Sequence, residues 1–279
     1  MRNFKRLTTR SDRSLLLWGG ILTVIVLLAV FANVFATHNP TEVNLKNVFS
    51  SPSANNVFGT DNMGRDIYSR ILYGGRISLS VSILSVLLST VVGTLFGGIS
   101  GYIGGWWDSL MMRILESLLA IPTLIIMMAL QAITRGGTVS LILIIGLTGW
   151  MTTARIVRSQ FMELKEKEFV KAAHILGTPP WKILVNHLLR NSLSAIFVIS
   201  IFNCAHAVFT EVSLSFLGIG IPPQTPSWGN MLNNAQNDML IGAWWGGVFP
   251  GLMIVVSLLT INFLGESLKK KYGLQGGDI

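Results

Sequence analysis

The sequence predicts an all-α integral membrane protein with six transmembrane helices, and its composition supplies the first reason. The 21 Lys and Arg and 13 Asp and Glu make up 12% of 279 residues, about half the roughly 25% usual in soluble domains. Hydrophobic residues account for 51%, and the mean hydropathy is +0.58. A chain of this size cannot enclose so much apolar surface in water, so a bilayer is the expected solvent. The single cysteine, Cys204, excludes an internal disulfide framework.

The distribution of charged residues supplies the second reason, because it marks the ends of the predicted spans. An unpaired ion at the bilayer centre costs about 3 kcal/mol, so charges are rare within spans. Six stretches approach the roughly 20 apolar residues that a helix needs to cross. They cover residues 15–36, 77–107, 117–134, 136–154, 191–210 and 239–265. The first is longer than the core of a cleaved signal peptide, so we interpret it as an uncleaved anchor.

Basic residues predict the orientation of the chain. With the N-terminus inside the cell, 16 of the 21 Lys and Arg fall in cytoplasmic segments, as the positive-inside rule requires. The five that remain outside are Lys46, Arg65, Arg70, Arg76 and Arg135. Both termini are therefore predicted to be cytoplasmic. The net charge of +8 follows from this topology, and no nucleic-acid partner is predicted.

These spans divide the chain into four regions. Residues 1–36 form the cytoplasmic N-terminus and first anchor, and residues 37–76 form an extracytoplasmic loop. Ile67, Leu72 and Tyr73 recur at helical spacing in that loop, which predicts a short interfacial helix. Residues 77–266 form a five-span core, and residues 267–279 form a cytoplasmic tail. The Pro-rich and Gly-rich stretch 218–229 cannot be a membrane helix and is expected to fold over the mouth of the bundle.

The cytoplasmic loop 155–190 reads as a helix, a turn and a second helix. Gly177 supplies a left-handed C-terminal cap, Thr178 can cap the next helix, and Pro179 suits its first turn. Ala172 and Ala173 leave room for the close approach of a partner backbone. The alternative is a hairpin that packs only on its own bundle.

Several blocks of this sequence resemble a known family. Residues 168–177 (EFVKAAHILG), followed by 187–191 (HLLRN), are similar to the EAA loop of ABC importer permeases. The blocks at 59–66, 101–106, 213–218 and 226–229 resemble the peptide and nickel branch, in particular the second permease of dipeptide and oligopeptide importers. Two positions depart from the family pattern: Lys171 stands where the family has a glutamate, and Arg190 stands where it has a proline. The tail also departs from it.

The resemblance implies a division of labour between subunits. It places Glu168, Ala172, Ala173, Gly177 and the turn Thr178–Pro179 in a cleft on an ATP-hydrolysing subunit. The sequence contains no Gly-Lys pair and hence no phosphate-binding P-loop. The chain is therefore predicted to be a permease and not an enzyme, with no bound cofactor of its own. ATP and Mg²⁺ belong to the partner subunits.

The same resemblance implies the rest of the assembly. A second, homologous permease would complete the pathway, two cytoplasmic ATPase subunits would drive alternating access, and a separate solute-binding protein would deliver the substrate from outside. The expected location is the bacterial cytoplasmic membrane. Import of di- or oligopeptides is the first prediction, and import of nickel or a metal chelate is the alternative.

Polar residues on the fifth span are candidates for the translocation path. Asn203, His206 and Thr210 recur at steps of three or four, and Glu211 lies beside them. Such groups should face the bundle interior or a wet cavity, since lipid cannot solvate them. Hydrogen bonding between helices is the alternative for this face. No metal site is predicted, because His206 is a single imidazole and a site needs several ligands.

Two other function classes are disfavoured by what the spans contain. A proton-coupled carrier would need ionisable residues at mid-span and usually shows repeated halves. A membrane enzyme would need a clustered acid, base or nucleophile set. The second span instead carries a stripe of small residues, which predicts tight static helix packing. The stripe consists of Ser85, Ser89, Gly93, Gly97 and Gly101.

Overall fold

The computed structural model describes residues 2–134 and 136–273, and their side chains from residue 12 onward. Of the sequence predictions, Arg135 and residues 274–279 of the tail lie outside these ranges. The described α-helices are α1 Arg2–Val30, α2 Ala32–Phe35, α3 Ile67–Ile103, α4 Gly105–Leu119, α5 Thr123–Ile133, α6 Thr138–Lys165, α7 Glu168–Ile175, α8 Pro180–Lys182, α9 Arg190–Phe216, α10 Trp228–Asp238 and α11 Trp245–Lys271. No β-strand occurs in these ranges, and the all-α prediction is confirmed.

Five helical segments are long and apolar enough to cross a membrane. They are Asp12–Val30, α3, α6, α11 and the segment Pro180–Phe216, in which α8 and α9 are joined by a π-helical stretch. A sixth crossing exists if α4 and α5 count as one span, but the two are bent by 78°. The bend lies at Pro122, which precedes α5 and has no N–H to continue α4. The described chain therefore has five candidate crossings, or the predicted six when the bent pair α4 and α5 is counted as one broken crossing.

The prediction of a separate short interfacial helix is wrong. Ile67 begins α3, which continues without interruption to Ile103 over 37 residues. At about 1.5 Å per residue this helix is ~55 Å long, well beyond a hydrocarbon core of about 30 Å. The helix begins where the Asp66 carboxylate accepts a hydrogen bond from the Ser69 amide at 2.8 Å. Residues 67–76 are thus the first turns of the helix that forms the second span.

The small-residue stripe of α3 forms the closest helix contact in the bundle, with α6. A methyl group added at Gly93 would lie 2.7 Å from the carbonyl oxygen of Trp150. One added at Gly97 would overlap the carbonyl oxygen of Ala154, and one at Gly101 would lie 2.7 Å from that of Arg158. Only glycine permits such an approach of two backbones. The predicted packing role of the stripe is confirmed.

Replacing Gly97 with leucine is therefore expected to destabilise the fold by on the order of 3 kcal/mol, because backbone atoms must move apart. The matched control is Gly20→Leu in α1, where an added Cβ would meet nothing within 4 Å. Denaturant unfolding of both variants in detergent measures the difference. Equal midpoints for the two variants would contradict the packing assigned to Gly97.

The remaining spans pack around α9, whose buried residues belong to three of the core clusters. The terminal helices α1 and α11 lie side by side, with the rings of Trp18 and Phe263 stacked at 4.7 Å. An ion pair of 3.4 Å joins Asp12, in the N-terminal half of α1, to Lys271, the last residue of α11. Both ends of the described chain therefore lie at the same end of the bundle.

Candidate functional site

A hairpin of residues 166–189, called here the hairpin, connects α6 to α9. Its first arm is α7, and its turn is set by Gly177, which has φ +73°. The amide of Gly177 donates to the carbonyl of His174 at 3.0 Å, and the amide of Thr178 donates to that of Ala173 at 3.0 Å. These bonds satisfy the last carbonyls of α7, as a left-handed glycine cap does. Gly177 thus ends the first arm as its sequence predicted.

The second arm begins one residue later than predicted. Pro179 precedes α8 and makes no side-chain capping bond, and Pro180 occupies the first turn. Thr178 is therefore not the cap residue. The chain then continues as the π-helical stretch Ile183–Leu189 directly into α9. The amide of Arg190 donates to the carbonyl of Val185 at this junction, a bond that a proline could not make.

The inner face of the hairpin packs on the end of α6. Val170 and Ala173 from α7 meet the second arm, and the whole group is buried against α6 and the start of α9. Ala173 is 7% exposed, whereas Ala172 is exposed. The prediction that both alanines face a partner is therefore corrected: consecutive helical residues point about 100° apart, and only Ala172 remains available. The buried members are Val157, Phe161, Val170, Ala173, Ile183, Leu188 and Ile196.

The tip of the hairpin, residues 175–181, presents large apolar side chains to its surroundings. Ile175 is 85% exposed, Leu176 is 83% exposed and Trp181 is 64% exposed. Gly177, between them, has open space where a side chain would begin. Large exposed apolar side chains grouped in one short segment usually mark a contact with another protein or a membrane. Packing of the hairpin on its own bundle explains the inner face but leaves the tip unexplained.

Charged residues on the first arm form local pairs. Lys171, at the position where the resembled family has glutamate, contacts Glu166 at 2.9 Å. The hydrogen bond from Lys171, together with its charge, lowers the pKa of Glu166 below its usual value. Glu168 is exposed at the first turn of α7, where a negative charge is favourable. The departure at Lys171 therefore leaves the fold of the hairpin intact.

The polar residues predicted on the fifth span do not form one surface. The Asn203 side-chain amide donates to Thr153 Oγ1 of α6 at 2.9 Å, which is a bond between helices. His206 is exposed at the surface of the chain. The hydroxyl of Thr210 donates to the carbonyl of His206 at 2.8 Å and is buried. Among the described residues, no group of three or more His, Cys, Asp or Glu could hold a metal ion.

Glu211 lies at a buried junction of three helices. It is 0% exposed, and its Oε1 accepts a hydrogen bond from Ser215 Oγ at 2.8 Å. Ser78 in α3 and Ser227 at the start of α10 lie beside this carboxylate, and its Oε2 is buried without a hydrogen-bond partner. Glu211 thus faces serines from other elements, while His206 faces outward. Contact between Glu211 and a substrate would require this junction to open.

The loop before α3 contains a buried ionic cluster that sequence reasoning did not single out. The carboxylate of Asp61 lies 2.7 Å from Nε of Arg65 and 3.5 Å from Nε of Arg70. Arg70 also donates to the carbonyl of Pro40 at 2.9 Å. All three ionic side chains are less than a tenth exposed. The cluster fastens the loop to the first turns of α3.

The stretch 218–229 folds into a cap over the end of the bundle opposite the hairpin. Trp228 is 1% exposed, and its indole N–H donates to the carbonyl of Ile71 at 3.0 Å. Asn230, another residue that sequence reasoning missed, donates to three loop carbonyls at 3.0–3.1 Å. An asparagine amide offers two N–H donors, so at least one of them is shared between two of these carbonyls, and one side chain holds an irregular loop. The acceptors belong to Ile221, Pro222 and Thr225.

Five or six candidate crossings, a cap at one end and a hairpin with an exposed apolar tip at the other define a polytopic membrane protein. The chain belongs to the family described as binding-protein-dependent transport system inner membrane component, which matches residues 93–272. The matched region includes the hairpin, the cap, the end of α3 and all of the described helices that follow it.

Curated relatives show which members of this family the chain resembles. The chain is 37% identical to a putative peptide permease protein of Brucella suis over 258 residues, which is 92% of this chain and 85% of the relative. It is 37% identical to the dipeptide transport system permease protein DppC of Bacillus subtilis, covering 89% of this chain and 78% of the relative. Against the glutathione transport system permease protein GsiD of Shigella flexneri, identity is 38%, covering 88% and 81%. The resemblance to ABC permeases of the peptide branch is confirmed.

Proposed function

We propose that this chain is one of two permease subunits of an ABC importer that carries di- or oligopeptides across the bacterial inner membrane. The relatives named for peptide, dipeptide and glutathione transport support this substrate class. A second, homologous permease completes the pathway, and a solute-binding protein delivers the peptide from outside. The cap formed by residues 218–229 lies at the end of the bundle where delivery would occur.

The exposed hairpin tip carries this proposal. A permease without a P-loop has to receive force from another subunit, and the tip offers Ile175, Leu176 and Trp181 for that contact. Two cytoplasmic ATPase subunits, which hold ATP and Mg²⁺, engage the hairpin of this chain and that of its partner. Glu168, Ala172, Gly177 and the turn Thr178–Pro179 lie at the contact, with Ala173 supporting it from inside.

The mechanism is a rigid-body rocking of the bundle that opens one side and closes the other. The hairpin packs on α6 through a fully buried cluster, so displacement of its tip carries α6 along. The α3 and α6 backbones approach too closely to slide apart independently. Opening of the cap end would expose the junction around Glu211 and connect it to His206, which is exposed on the surface of this chain.

The orientation that fits this proposal has both termini and the hairpin in the cytoplasm. The pair between Asp12 and Lys271 brings the two chain ends together, which is what an even number of crossings requires. The hairpin then faces the nucleotide pool that the ATPase subunits use.

Reconstitution tests the proposed function. The chain is co-purified with its candidate partner permease and ATPase subunits, placed in lipid vesicles and supplied with a binding protein and labelled peptide. We expect peptide uptake that requires ATP hydrolysis. Uptake of Ni²⁺ or a nickel chelate in place of peptide would contradict the proposed substrate and support nickel import instead. Uptake driven by a proton gradient without any ATPase would overturn the proposal.

A further inference from the structure

An ion pair joins the broken third crossing to the helix that carries the hairpin. Arg158, near the end of α6, donates through Nε and Nη2 to the two carboxylate oxygens of Asp108 in α4, both at 2.5 Å. This is a bidentate arrangement, which fixes orientation as well as distance. Asp108 is 6% exposed, so water competes weakly for its oxygens.

A third helix closes the same junction. The hydroxyl of Ser100 in α3 also donates to Asp108, at 2.5 Å, and Ser100 is 0% exposed. About two turns beyond Arg158 on α6, Lys165 donates to the carbonyl of Tyr102 at 2.8 Å. The chain then reverses at Gly104 and Gly105, with φ of +71° and +61°. The reversal between α3 and α4 is thus fastened to α6 immediately beside the hairpin.

The rest of α4 is attached to the bundle by a narrow face. Asp108 and Leu115 are its only buried residues among those described. Leu115 packs with Met151 and Ala154 of α6, whereas Trp106 and Trp107 are 69% and 57% exposed. One ionic contact and a small apolar cluster, in which Met112 and Leu119 flank Leu115, therefore hold α4 to α6. An apolar contact resists separation, but a bidentate pair also resists sliding and rotation.

Beyond the bend at Pro122, α5 reaches the opposite end of the bundle. Gln131 is 2% exposed, and its side-chain amide donates to the carbonyl of Gly220 in the cap at 3.4 Å. The hydroxyl of Ser140, in the first turn of α6, donates to Oε1 of Gln131 at 3.3 Å. The broken crossing is therefore bonded to α6 at its hairpin end and to the cap at its far end.

We propose that Asp108 and Arg158 are positioning residues that make α4 follow α6 when the hairpin moves. The pair couples the broken crossing, and through Gln131 the cap, to ATP-driven displacement of the hairpin. This inference rests on the proposed function, because it assigns the pair a role in the transport cycle. Loss of the pair should leave ATPase docking intact while ATP hydrolysis no longer produces peptide movement.

The test compares Asp108→Asn, Arg158→Gln and the double variant in the reconstituted transporter. We expect each single variant to capture ATPase subunits within about twofold of the unmodified chain while peptide uptake falls on the order of tenfold. The number of ATP molecules hydrolysed per peptide should rise accordingly. The double variant should be no worse than either single variant, since both remove one interaction. Asp108→Glu, which keeps the carboxylate, should recover part of the uptake.

Arg113→Gln is the matched control, because it removes an exposed charge from the same helix. Its uptake should equal that of the unmodified chain. Normal ATP use per peptide in both single variants would overturn the inference, and so would additive losses in the double variant. If Asp108→Asn unfolds in detergent, Arg158→Lys replaces it: this variant keeps the charge, loses the bidentate geometry and should show the same raised ATP use. Failure of the unmodified chain to bind any ATPase subunit would instead contradict the proposed function.

Discussion

Replacing Gly177 with leucine is expected to reduce ATPase capture about tenfold or more and to abolish peptide uptake. Gly177 has φ +73°, and no atom lies within 4 Å of the position that a Cβ would take. A leucine there would meet nothing in this chain and would project from the tip between Leu176 and Thr178. The loss would therefore arise from obstruction of the partner and from backbone strain of about 1–2 kcal/mol in the turn. Pull-down of the ATPase subunits measures the effect.

Gly242→Leu is the matched control for that strain. Gly242 also has a left-handed backbone, with φ +90°, and open space where a Cβ would lie, but it lies between α10 and α11, away from the hairpin. Its ATPase capture should stay within about twofold of the unmodified chain. Gly177→Asn should retain more capture than Gly177→Leu, because asparagine tolerates the left-handed region. Equal capture by Gly177→Leu and the unmodified chain would show that the hairpin tip does not contact the ATPase subunit.

Replacing Asp61 with asparagine is expected to destabilise the protein by about 3–5 kcal/mol, as loss of one partner in a buried ionic group does. The change removes the carboxylate that faces both Arg65 and Arg70 and leaves two buried guanidinium groups without it. Asparagine has nearly the same shape, so little packing is lost. The midpoint of denaturant unfolding in detergent measures the destabilisation.

Asp12→Asn is the control for Asp61→Asn. It breaks the pair with Lys271, in which both side chains are about half exposed, and such pairs contribute about 0–1 kcal/mol. A large difference between the two variants is therefore expected. If Asp61→Asn unfolds at the same midpoint as Asp12→Asn, the loop before α3 does not depend on its ionic cluster.

Charge and hydropathy predict the crossings well because the free-energy cost of placing an ion in lipid keeps charged residues out of the spans. The same rule failed at α3, where charged residues such as Arg70 and Arg76 precede the predicted span yet belong to its helix. A helix continues outside the bilayer whenever its backbone bonds are satisfied and its side chains find partners. Those partners lie in distant segments, as with Pro40 and Arg70, and spacing along one helix does not reveal them.

The hairpin was predictable because its signals are local. Gly177 determines the turn, and apolar periodicity determines the inner face. The environment of the polar residues of α9 was not predictable, because it is formed by residues from other parts of the chain. Asn203 meets Thr153, and Glu211 meets Ser78 and Ser227, each from a different element. Residues that share spacing on one helix were therefore separated into an interhelical bond, an exposed imidazole and a buried carboxylate.

Cross-linking from the hairpin tip in intact cells tests the central claim most directly. A photoactivatable side chain is placed at Leu176, which is 83% exposed at the tip, or at Leu240, which is 85% exposed beyond α10. After irradiation, an adduct with the ATPase subunit is expected from position 176 and not from position 240. An ATPase adduct from position 240, or none from position 176 in a transporter that imports peptide, would contradict the account.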